Sequence, residues 1–368
     1  MPSAQSKVPS AGESVGEVSL KGRFFNLRTL IAFALALSFL AFILTRFDVD
    51  LSATWEKMRG GNPALYALAV ITYFLTFPLR GWRWRLLLNN VGFRRDQGVN
   101  LPSSLGLGGT VLISWFANCI LYARLGDAYR AYLLKEDTNV SFPKTLGTIA
   151  AERVIDMVIV FLMLTFAGLA LWGGLGGGTA SAILAASFSV AAILGLALLA
   201  MWRFGPKVER CLPSRLRSYW ASFQEGTVGS FRQLPLIVGI SVVIWLLEAG
   251  RLLLVSQSLG FSLGLLFILF VGLASALLTA LPLTPGGLGL VEPGVAGLLT
   301  INLARADAWS IALIDRSISY LGVIILGAIV FFFRQMKMAR RPRPYPALPD
   351  DPATQSEEAS PGGNDSGD

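Results

Sequence analysis

The sequence contains no histidine and only two cysteines among its 368 residues. It therefore lacks the commonest metal ligand and the side chain that usually transfers protons near neutral pH. Cys119 and Cys211 form no CxxC pair, so they indicate neither a zinc site nor a disulfide framework. The chain also shows no nucleophile–base pair. We therefore expect no catalytic residues, no metal and no cofactor, and we predict that the chain is not an enzyme.

Charge is also scarce. Charged residues make up 15% of the chain, against 54% hydrophobic residues, and the mean hydropathy is +0.59. This composition argues against a water-soluble fold and indicates a chain that folds in a bilayer. The net charge of +8 does not predict nucleic-acid binding, because excess Lys and Arg in a membrane protein usually mark cytoplasmic loops. We predict an all-α, polytopic membrane helix bundle.

The two ends of the chain are polar. Residues 1–26 and 336–368 are rich in small and polar residues, and we predict that both are disordered cytoplasmic tails. Between them, residues 27–335 form the predicted transmembrane domain. The first apolar run is followed by "TRFDVD" rather than by a small-residue cleavage site, so we interpret it as an anchored helix.

Apolar segments recur along this domain. We predict helices at residues 28–46, 63–80, 103–119, 146–171, 180–204, 234–258, 262–281, 289–303 and 307–333. The third and eighth segments are short and glycine-rich, so each is expected to dip into the bilayer or break within it. All basic loops fall on the cytoplasmic side only if segment 103–119 re-enters, which predicts about eight crossings with both termini in the cytoplasm. The expected location is the inner (plasma) membrane.

Two polar clusters interrupt the apolar background and resemble each other. "NCILYARLGDAYR" is followed by "AAERVID", and "PLTPGGLGLVE" is followed by "LIDRSIS". Gly126 precedes Arg153 by 27 residues, and Gly289 precedes Arg316 by 27 residues. An acidic residue stands directly before each of these arginines. The pattern predicts an internal repeat, in which broken segments at corresponding positions mark a binding site.

The stretch "LPLTPGGLGLVEPG", residues 281–294, predicts a broken helix. Its prolines stop a helix and its glycines permit an unwound backbone. Such a backbone is tolerated at membrane depth only where protein or water covers it. A helix that restarts near Leu288 would present free N–H groups to an anion such as a phosphate. A plain hairpin between two helices is the alternative interpretation.

Charged side chains within the apolar segments need an explanation, because each costs a few kcal/mol in lipid. Glu152, Arg153 and Asp156 lie within one helical turn, so they neutralise one another, reach the membrane surface or line a wet cavity. Glu248 and Arg251 are three residues apart, and we expect them to neutralise each other.

One further cluster of cations is predicted to lie at the membrane edge. In "PLRGWRWRLLLNNVGF", Arg80, Arg83 and Trp84 form a stripe on one helix face. We expect this stripe to anchor the helix at the interface.

The candidate substrate-binding residues are the polar side chains and turn residues of the two clusters. They are Asn118, Arg124, Asp127, Arg130, Glu152, Arg153, Asp156, Pro285, Gly286, Gly287, Gly289, Glu292, Asp315 and Arg316. We hypothesise that the arginines at 124, 153 and 316, with N–H groups of the 285–289 turn, hold a lipid phosphate in a hydrated groove. The carboxylates at 152, 156, 292 and 315 would orient those arginines or bind a cationic headgroup.

The ordered set of "RGWRWRLLL", "ARLGDAYRAYLL", "AAERVID" and "PLTPGGLGLVE" resembles the lysylphosphatidylglycerol synthase transmembrane-region family of flippase-like membrane proteins. The resemblance covers roughly residues 28–335. Tyr122 and Gly126-Asp127 stand where the family pattern often has proline and Gly-Glu. The resemblance implies translocation of an anionic or aminoacylated phospholipid, or of an isoprenoid-linked lipid. It implies a membrane lipid as partner, and possible cooperation with a separate lipid-modifying enzyme.

Two other functions are compatible with these residues. The same arginines and turn would serve a secondary transporter of a soluble organic anion. A membrane-embedded enzyme acting on a lipid-linked phosphate is the other alternative, with Glu152 and Asp156 as ligands of Mg²⁺.

Overall fold

A computed structural model describes residues 51–172, 212–280 and 284–339, with isolated residues between 189 and 210. The predicted N-terminal tail and the predicted helix 28–46 lie outside the described residues, as do nearly all of segment 180–204, Pro282 and the C-terminal tail beyond residue 339. Within the described residues, all regular secondary structure is helical. The predicted all-α membrane bundle is confirmed.

The described helices are numbered in chain order. They are α1 (Leu51–Gly60), α2 (Pro63–Asn90), α3 (Ser104–Ile120), α4 (Leu125–Thr138), α5 (Phe142–Trp172), α6 (Ser214–Gly229), α7 (Leu234–Ser258), α8 (Leu265–Ala280), α9 (Val291–Leu299), α10 (Arg305–Arg316) and α11 (Val323–Ala339). A π-helical segment, Ser317–Gly322, joins α10 to α11. Short 3₁₀ turns lie at Arg95–Gln97, Tyr122–Arg124, Ser230–Gln233 and Pro285–Gly287.

Four helical rods are long and apolar enough to cross a bilayer: Pro63–Asn90, Phe142–Leu171, Leu216–Ser258 and Arg305–Met338. The protein is therefore a multi-pass membrane protein. The apolar helices α3 and α8 have only 17 and 16 residues. Helices that cross the hydrocarbon core have about 17–25 residues, so the described lengths of these two lie at or just below the lower end of that range.

The first short helix forms a hairpin with α4. Gly109, near the start of α3, lies against Val330 of α11. At the end of α4, Glu136 and Asp137 pair with Arg334, four residues further along α11. Both outer ends of the hairpin therefore lie beside the second half of the Arg305–Met338 rod. That segment 103–119 re-enters the membrane stays a prediction.

The second short helix forms a hairpin with α9 that starts from the opposite end of the bundle. The helix α8 begins seven residues after α7 ends, and α9 ends six residues before α10 begins. Near these ends, the N–H of Asn62 donates to the carbonyl of Ser258, and Lys57 pairs with Asp307. The outer ends of the second hairpin thus lie near the start of the α10–α11 rod, whereas those of the first lie near its far half.

The tips of the two hairpins meet in the middle of the bundle. Arg124, in the first tip, donates to the carbonyl of Ala280 at the end of α8 (3.2 Å). The hydroxyl of Tyr320, in the π-helical segment, donates to the carbonyl of Cys119 (3.1 Å). Gly286, in the second tip, has a φ of 58°, and an added Cβ would lie 2.7 Å from the Tyr320 ring. Only glycine meets both requirements, which explains one glycine of the predicted break.

A close backbone contact holds the first hairpin against α2. An added Cβ on Gly81 would lie 2.2 Å from the carbonyl oxygen of Ser104, and one on Gly108 would lie 2.7 Å from that of Phe77. Small residues at such crossings let membrane helices approach closely. This approach brings the polar face of α2 next to the hairpin tip.

The two repeats seen in the sequence correspond to these two hairpins and the helices that follow them. Arg153 is the twelfth residue of α5, and Arg316 is the twelfth residue of α10. Each of these helices follows one hairpin and carries its arginine to the level of the tips. Because the hairpins enter from opposite ends, the two repeats have inverted orientations, as in many transporters.

Candidate functional site

A polar cavity lies where the hairpin tips meet α5, α7 and the α10–α11 rod. Four arginines line it, at positions 124, 153, 251 and 316, together with the carboxylates of Asp156 and Glu248. The aromatic side chains of Tyr73, Trp115 and Trp245 also line the cavity, as do small residues of α8. The cavity has room for several water molecules, so charged groups along it can remain hydrated.

Asp127, near the first hairpin tip, contacts two of these arginines: Arg124 of the tip itself and Arg153 of α5. Arg153 donates from Nε and Nη2 to the two oxygens of Asp127 (3.1 and 2.9 Å). The Nε of Arg124 lies 3.7 Å from the same carboxylate. The bidentate pair fixes the orientation of Arg153. About a quarter of each arginine side chain remains accessible, 23% for Arg153 and 25% for Arg124.

The second hairpin tip positions Arg316. Its Nε donates to Glu292 (2.8 Å), and its Nη2 donates to the carbonyl of Gly286 (2.8 Å). The other oxygen of Glu292 accepts from the N–H of Gly289 (2.7 Å). Asp127 and Glu292 each lie in the first turn of the second helix of a hairpin, so the two repeats hold their arginines in the same way.

The expectation that N–H groups of the 285–289 turn face a phosphate is wrong for three of them. The N–H of Gly287 donates to Thr284, and that of Leu288 donates to Pro285. The N–H of Gly289 donates to Glu292. The helix also restarts at Val291, later than expected. The acidic residue of α9 already occupies the place where an external anion was predicted. Pro285 and Gly287 are themselves buried within the second tip.

Glu152 and Asp156 form their hydrogen bonds with arginines other than those that they were predicted to orient. Both bind Arg83 of α2, at 2.8 Å for Glu152 and at 2.5 and 3.0 Å for Asp156. The second oxygen of Glu152 accepts from Arg130 (2.6 Å). Residues four apart share a helix face, whereas Arg153 projects from a different side of α5. The prediction that these two carboxylates orient Arg153 is therefore wrong.

The prediction that Arg80, Arg83 and Trp84 anchor α2 at the interface is also wrong. All three are buried, with at most 1% of their surface exposed. Arg80 lies between the rings of Trp115 (4.7 Å) and Trp245 (5.6 Å) and donates to Glu248 (2.8 Å). The sequence did contain a signal: the i, i+3, i+4 stripe placed all three on one face, and buried carboxylates elsewhere needed cations.

Glu248 and Arg251 are not a self-contained pair as expected. Their side chains lie 3.7 Å apart, but Arg80 is closer to Glu248. The Nη2 of Arg251 lies 3.3 Å from Asp315, and its guanidinium lies 4.9 Å from the centre of the Tyr73 ring. Asp315 therefore contacts Arg251 of α7, and the prediction that it orients an arginine of the repeat clusters is wrong.

Two other predicted site residues lie near the first tip, one in the cavity wall and one behind it. Asn118 lines the cavity and accepts a hydrogen bond from the N–H of Gly126 (2.8 Å), which closes the turn after α3. Arg130 is fully buried behind the cavity, over the ring of Trp84 (4.4 Å). Arg130 and Glu152 do not line the cavity, so any effect that they have on it is through the position of neighbouring side chains.

The network favours an anion. Its members are seven arginines (80, 83, 124, 130, 153, 251 and 316) and six carboxylates (127, 152, 156, 248, 292 and 315). Along the cavity itself the count is four arginines to two carboxylates. Among the described residues, no group of three or more potential ligands is placed to hold a metal ion. Asp156 and Glu152, proposed above as ligands of Mg²⁺, are both occupied by Arg83.

Comparisons with known proteins agree with this membrane architecture. The family described as Lysylphosphatidylglycerol synthase TM region matches residues 29–327. The chain is 32% identical over 232 residues to UPF0104 membrane protein MJ1078 of Methanocaldococcus jannaschii, a match that covers 62% of this chain and 98% of that protein. It is 25% identical over 348 residues to a UPF0104 membrane protein of Methanothermobacter thermautotrophicus, covering 84% of this chain and 95% of that protein.

A further relative corrects one prediction. The chain is 29% identical over 358 residues to the protein named Glycosyltransferase AglD of Haloferax volcanii, which covers 85% of this chain. The match covers 55% of AglD, so this chain spans about half the length of that relative. The prediction that the chain is not an enzyme is contradicted, because AglD, to which most of this chain is similar, is named as a glycosyltransferase. From the match over residues 29–327, the chain belongs to the lysylphosphatidylglycerol synthase TM region family.

Proposed function

We propose that this protein is a lipid translocase, which moves an anionic or aminoacylated phospholipid, or an isoprenoid-linked lipid, between the two leaflets. The observation that carries the proposal is the arginine-lined cavity at the meeting point of two inverted hairpins. A headgroup would cross through this cavity while its acyl chains stay in the bilayer. In this proposal the protein lies in the inner (plasma) membrane with both termini in the cytoplasm, and it works beside a separate lipid-modifying enzyme.

Three arginines would bind the lipid phosphate. Arg124 comes from the first tip, and Arg153 and Arg316 come from the helices that follow the two hairpins, so both repeats contribute to the cavity lining. Asp127 and Glu292 fix the orientation of Arg153 and Arg316. Arginines held in this way are suited to recognise a phosphate group, because their orientation is set before the ligand arrives.

Alternating access would follow from the hairpin geometry. The contacts between the two tips, such as that of Arg124 with Ala280, close the path between the two ends of the bundle. If one hairpin moved away from the other tip, the cavity would open toward one leaflet only. Movement of the other hairpin, which starts from the opposite end of the bundle, would open the cavity toward the other leaflet. The binding arginines would stay near the middle throughout.

Leaflet exchange in proteoliposomes tests the proposal. Purified protein is reconstituted with a headgroup-labelled phosphatidylglycerol, and the fraction of label accessible to an external quencher is followed over time. We expect exchange with the wild-type protein and at least a tenfold loss for Arg153→Ala, about 1.4 kcal/mol. Arg85→Ala is the control, because Arg85 is an arginine of the bundle that does not line the cavity. Wild-type exchange no faster than in protein-free liposomes would refute the proposal.

A second candidate function rests on the relative named Glycosyltransferase AglD. In this case the cavity would bind a lipid-linked phosphate that takes part in sugar transfer. The two candidates differ in their product. Formation of a new glycolipid by the purified protein, from a sugar donor and a lipid phosphate, would favour the second, whereas exchange of an unaltered lipid would favour the first.

A further inference from the structure

One carboxylate of the buried network is less completely bonded than the others. Asp315 is 3% exposed, and its Oδ1 has no hydrogen-bond partner among the described residues. Its Oδ2 has only the 3.3 Å contact with Arg251. By contrast, both oxygens of Glu152 accept hydrogen bonds, at 2.8 and 2.6 Å. A buried oxygen without a donor is costly for an ionised carboxylate, and protonation removes much of that cost.

The cation that faces Asp315 is also under-bonded, and it lines the cavity. The Nε and Nη1 of Arg251 are buried without hydrogen-bond partners in the described part of the chain. Its Nη2 lies 3.3 Å from Asp315 and 3.7 Å from Glu248, whereas Arg80, Arg83, Arg130, Arg153 and Arg316 each have a carboxylate oxygen within 2.9 Å. Because Arg251 lines the cavity, a second anion there could attract its guanidinium, and a small turn of the side chain would present the donors that no described group has satisfied.

We propose that translocation is coupled to a proton that Asp315 carries. When an anionic headgroup binds Arg251 it competes with Asp315 for the same guanidinium, and the released carboxylate, which lies behind the cavity lining, takes up a proton at Oδ1 from water that follows the displaced arginine. The headgroup keeps its negative charge, so lipid anion and proton cross together. On the far side the headgroup leaves, Asp315 loses the proton to water, and its pair with Arg251 forms again. This inference rests on the proposed translocase function and adds its coupling ion.

The elements around Asp315 carry other titratable and charged groups. They are Arg251 and Glu248 on α7, Glu292 on α9, Tyr66, Tyr73 and Arg80 on α2, Glu56, Lys57 and Arg59 on α1, Tyr320 in the π-helical segment, and Arg305, Asp307 and Arg316 on α10 itself. Arg316, Arg80 and Lys57 have carboxylate partners of their own at short distance. Arg251 is therefore the cation whose departure would most change the charge balance at Asp315.

The inverted repeat contains two equivalent acidic residues, and their partners explain why we assign the proton to Asp315 rather than to Glu152. Glu152 and Asp315 both precede the arginine of a repeat, and each pairs with an arginine of a helix packed against it. Glu152 is held by Arg83 and Arg130 together, so loss of one partner would leave the other. Among the described residues Asp315 has an ion pair with Arg251 alone, so we assign the change of protonation to Asp315 rather than to Glu152.

Calorimetric titration of the purified wild-type protein with short-chain phosphatidylglycerol tests the inference. Titrations in two buffers of different ionisation enthalpy, repeated between about pH 5 and pH 9, count the protons taken up per lipid bound. The phosphodiester of this lipid stays ionised over that range, so any proton enters the protein. We expect uptake that approaches one proton per lipid at its maximum. Zero uptake at every pH, with binding observed, would overturn the inference.

Variants assign the proton to a residue. Asp315→Asn should still bind the lipid but take up no proton, whereas Asp307→Asn, the same change on the same helix, should behave as wild type. Asp315→Glu, which keeps the carboxyl group, should retain the uptake and covers the case in which the amide variant does not fold. Uptake that persists in Asp315→Asn, or that is lost in Glu248→Gln instead, would overturn the assignment.

The two proposals can fail separately. Proton uptake on binding without leaflet exchange in proteoliposomes would refute the translocase and leave an anion-linked proton site. Exchange that neither responds to a pH gradient nor carries a proton would leave the translocase and refute the coupling.

Discussion

Arg83 shows how a single residue can hold this bundle together. It is fully buried and donates to Glu152 and Asp156 of α5 and to Ser241 of α7 (2.6 Å). A guanidinium in a hydrocarbon environment is costly unless its charge is paired. Because its acceptors lie on two helices, this one side chain connects α2 to both. Its substitution would leave two carboxylates with fewer partners in the membrane interior.

Replacement of Arg83 by methionine should therefore destabilise the protein. We expect a cost of about 3–5 kcal/mol, because removal of one partner leaves uncompensated buried charge. The measurement is the thermal unfolding midpoint in detergent, with Arg85→Met as the matched control on the same helix. Arg85 is partly exposed and should tolerate the change. Equal midpoints for the two variants would show that the buried pairs do not stabilise the fold.

At the scale of elements, the two hairpins set the position of the site. Each begins with a short apolar helix, α3 or α8, and each has a turn with backbone in the left-handed region at its tip. In the first tip this conformation falls on Ala123 (φ 58°) and Arg124 (φ 53°), which are not glycines. Such backbone costs of order 1–3 kcal/mol per residue and persists where the surrounding structure holds it. The tips are thus the places where packing, rather than local preference, determines the backbone.

Two glycines of the second hairpin provide a test of tip packing. Gly286→Ala would place a methyl group 2.7 Å from the Tyr320 ring at a φ of 58°. We expect it to lower stability by about 1–3 kcal/mol and to impair leaflet exchange. Gly297→Ala, on α9 of the same hairpin, meets no atom within 4 Å and should be neutral or stabilising by about 0.5–1 kcal/mol. Unfolding and exchange are measured for both, and equal behaviour would argue against a close-packed tip.

At the scale of the whole molecule, the sequence predicted the helices better than the contacts between them. Segment 234–258 was predicted with the same bounds as α7, because a long apolar run is a property of adjacent residues. The helix α2 was predicted to end at residue 80 but continues to Asn90. Its arginines resembled a membrane-edge cluster, and the carboxylates that neutralise them in the interior lie on other helices.

The same distinction applies to the site. The hairpin breaks and the spacing of the two repeats are local signals, so both were visible in the sequence. The partner of each charge depends on which helix faces meet, and Arg83 meets Asp156 across 73 residues of chain. The arginines at 80, 83 and 251 were therefore missing from the predicted site, and the carboxylates at 152, 156 and 315 were given the wrong partners.

The central claim is that the headgroup of an anionic lipid enters the cavity between the hairpin tips. Photoaffinity mapping tests it most directly, with a phosphatidylglycerol that carries a photoreactive group on its headgroup and with mass spectrometry to locate the labelled residues. We predict labelling of cavity-lining residues such as Trp115, Met157 and Ala276, reduced in Arg153→Ala. Labelling confined to exposed residues such as Leu162 and Ile325, with none in the cavity, would contradict the account.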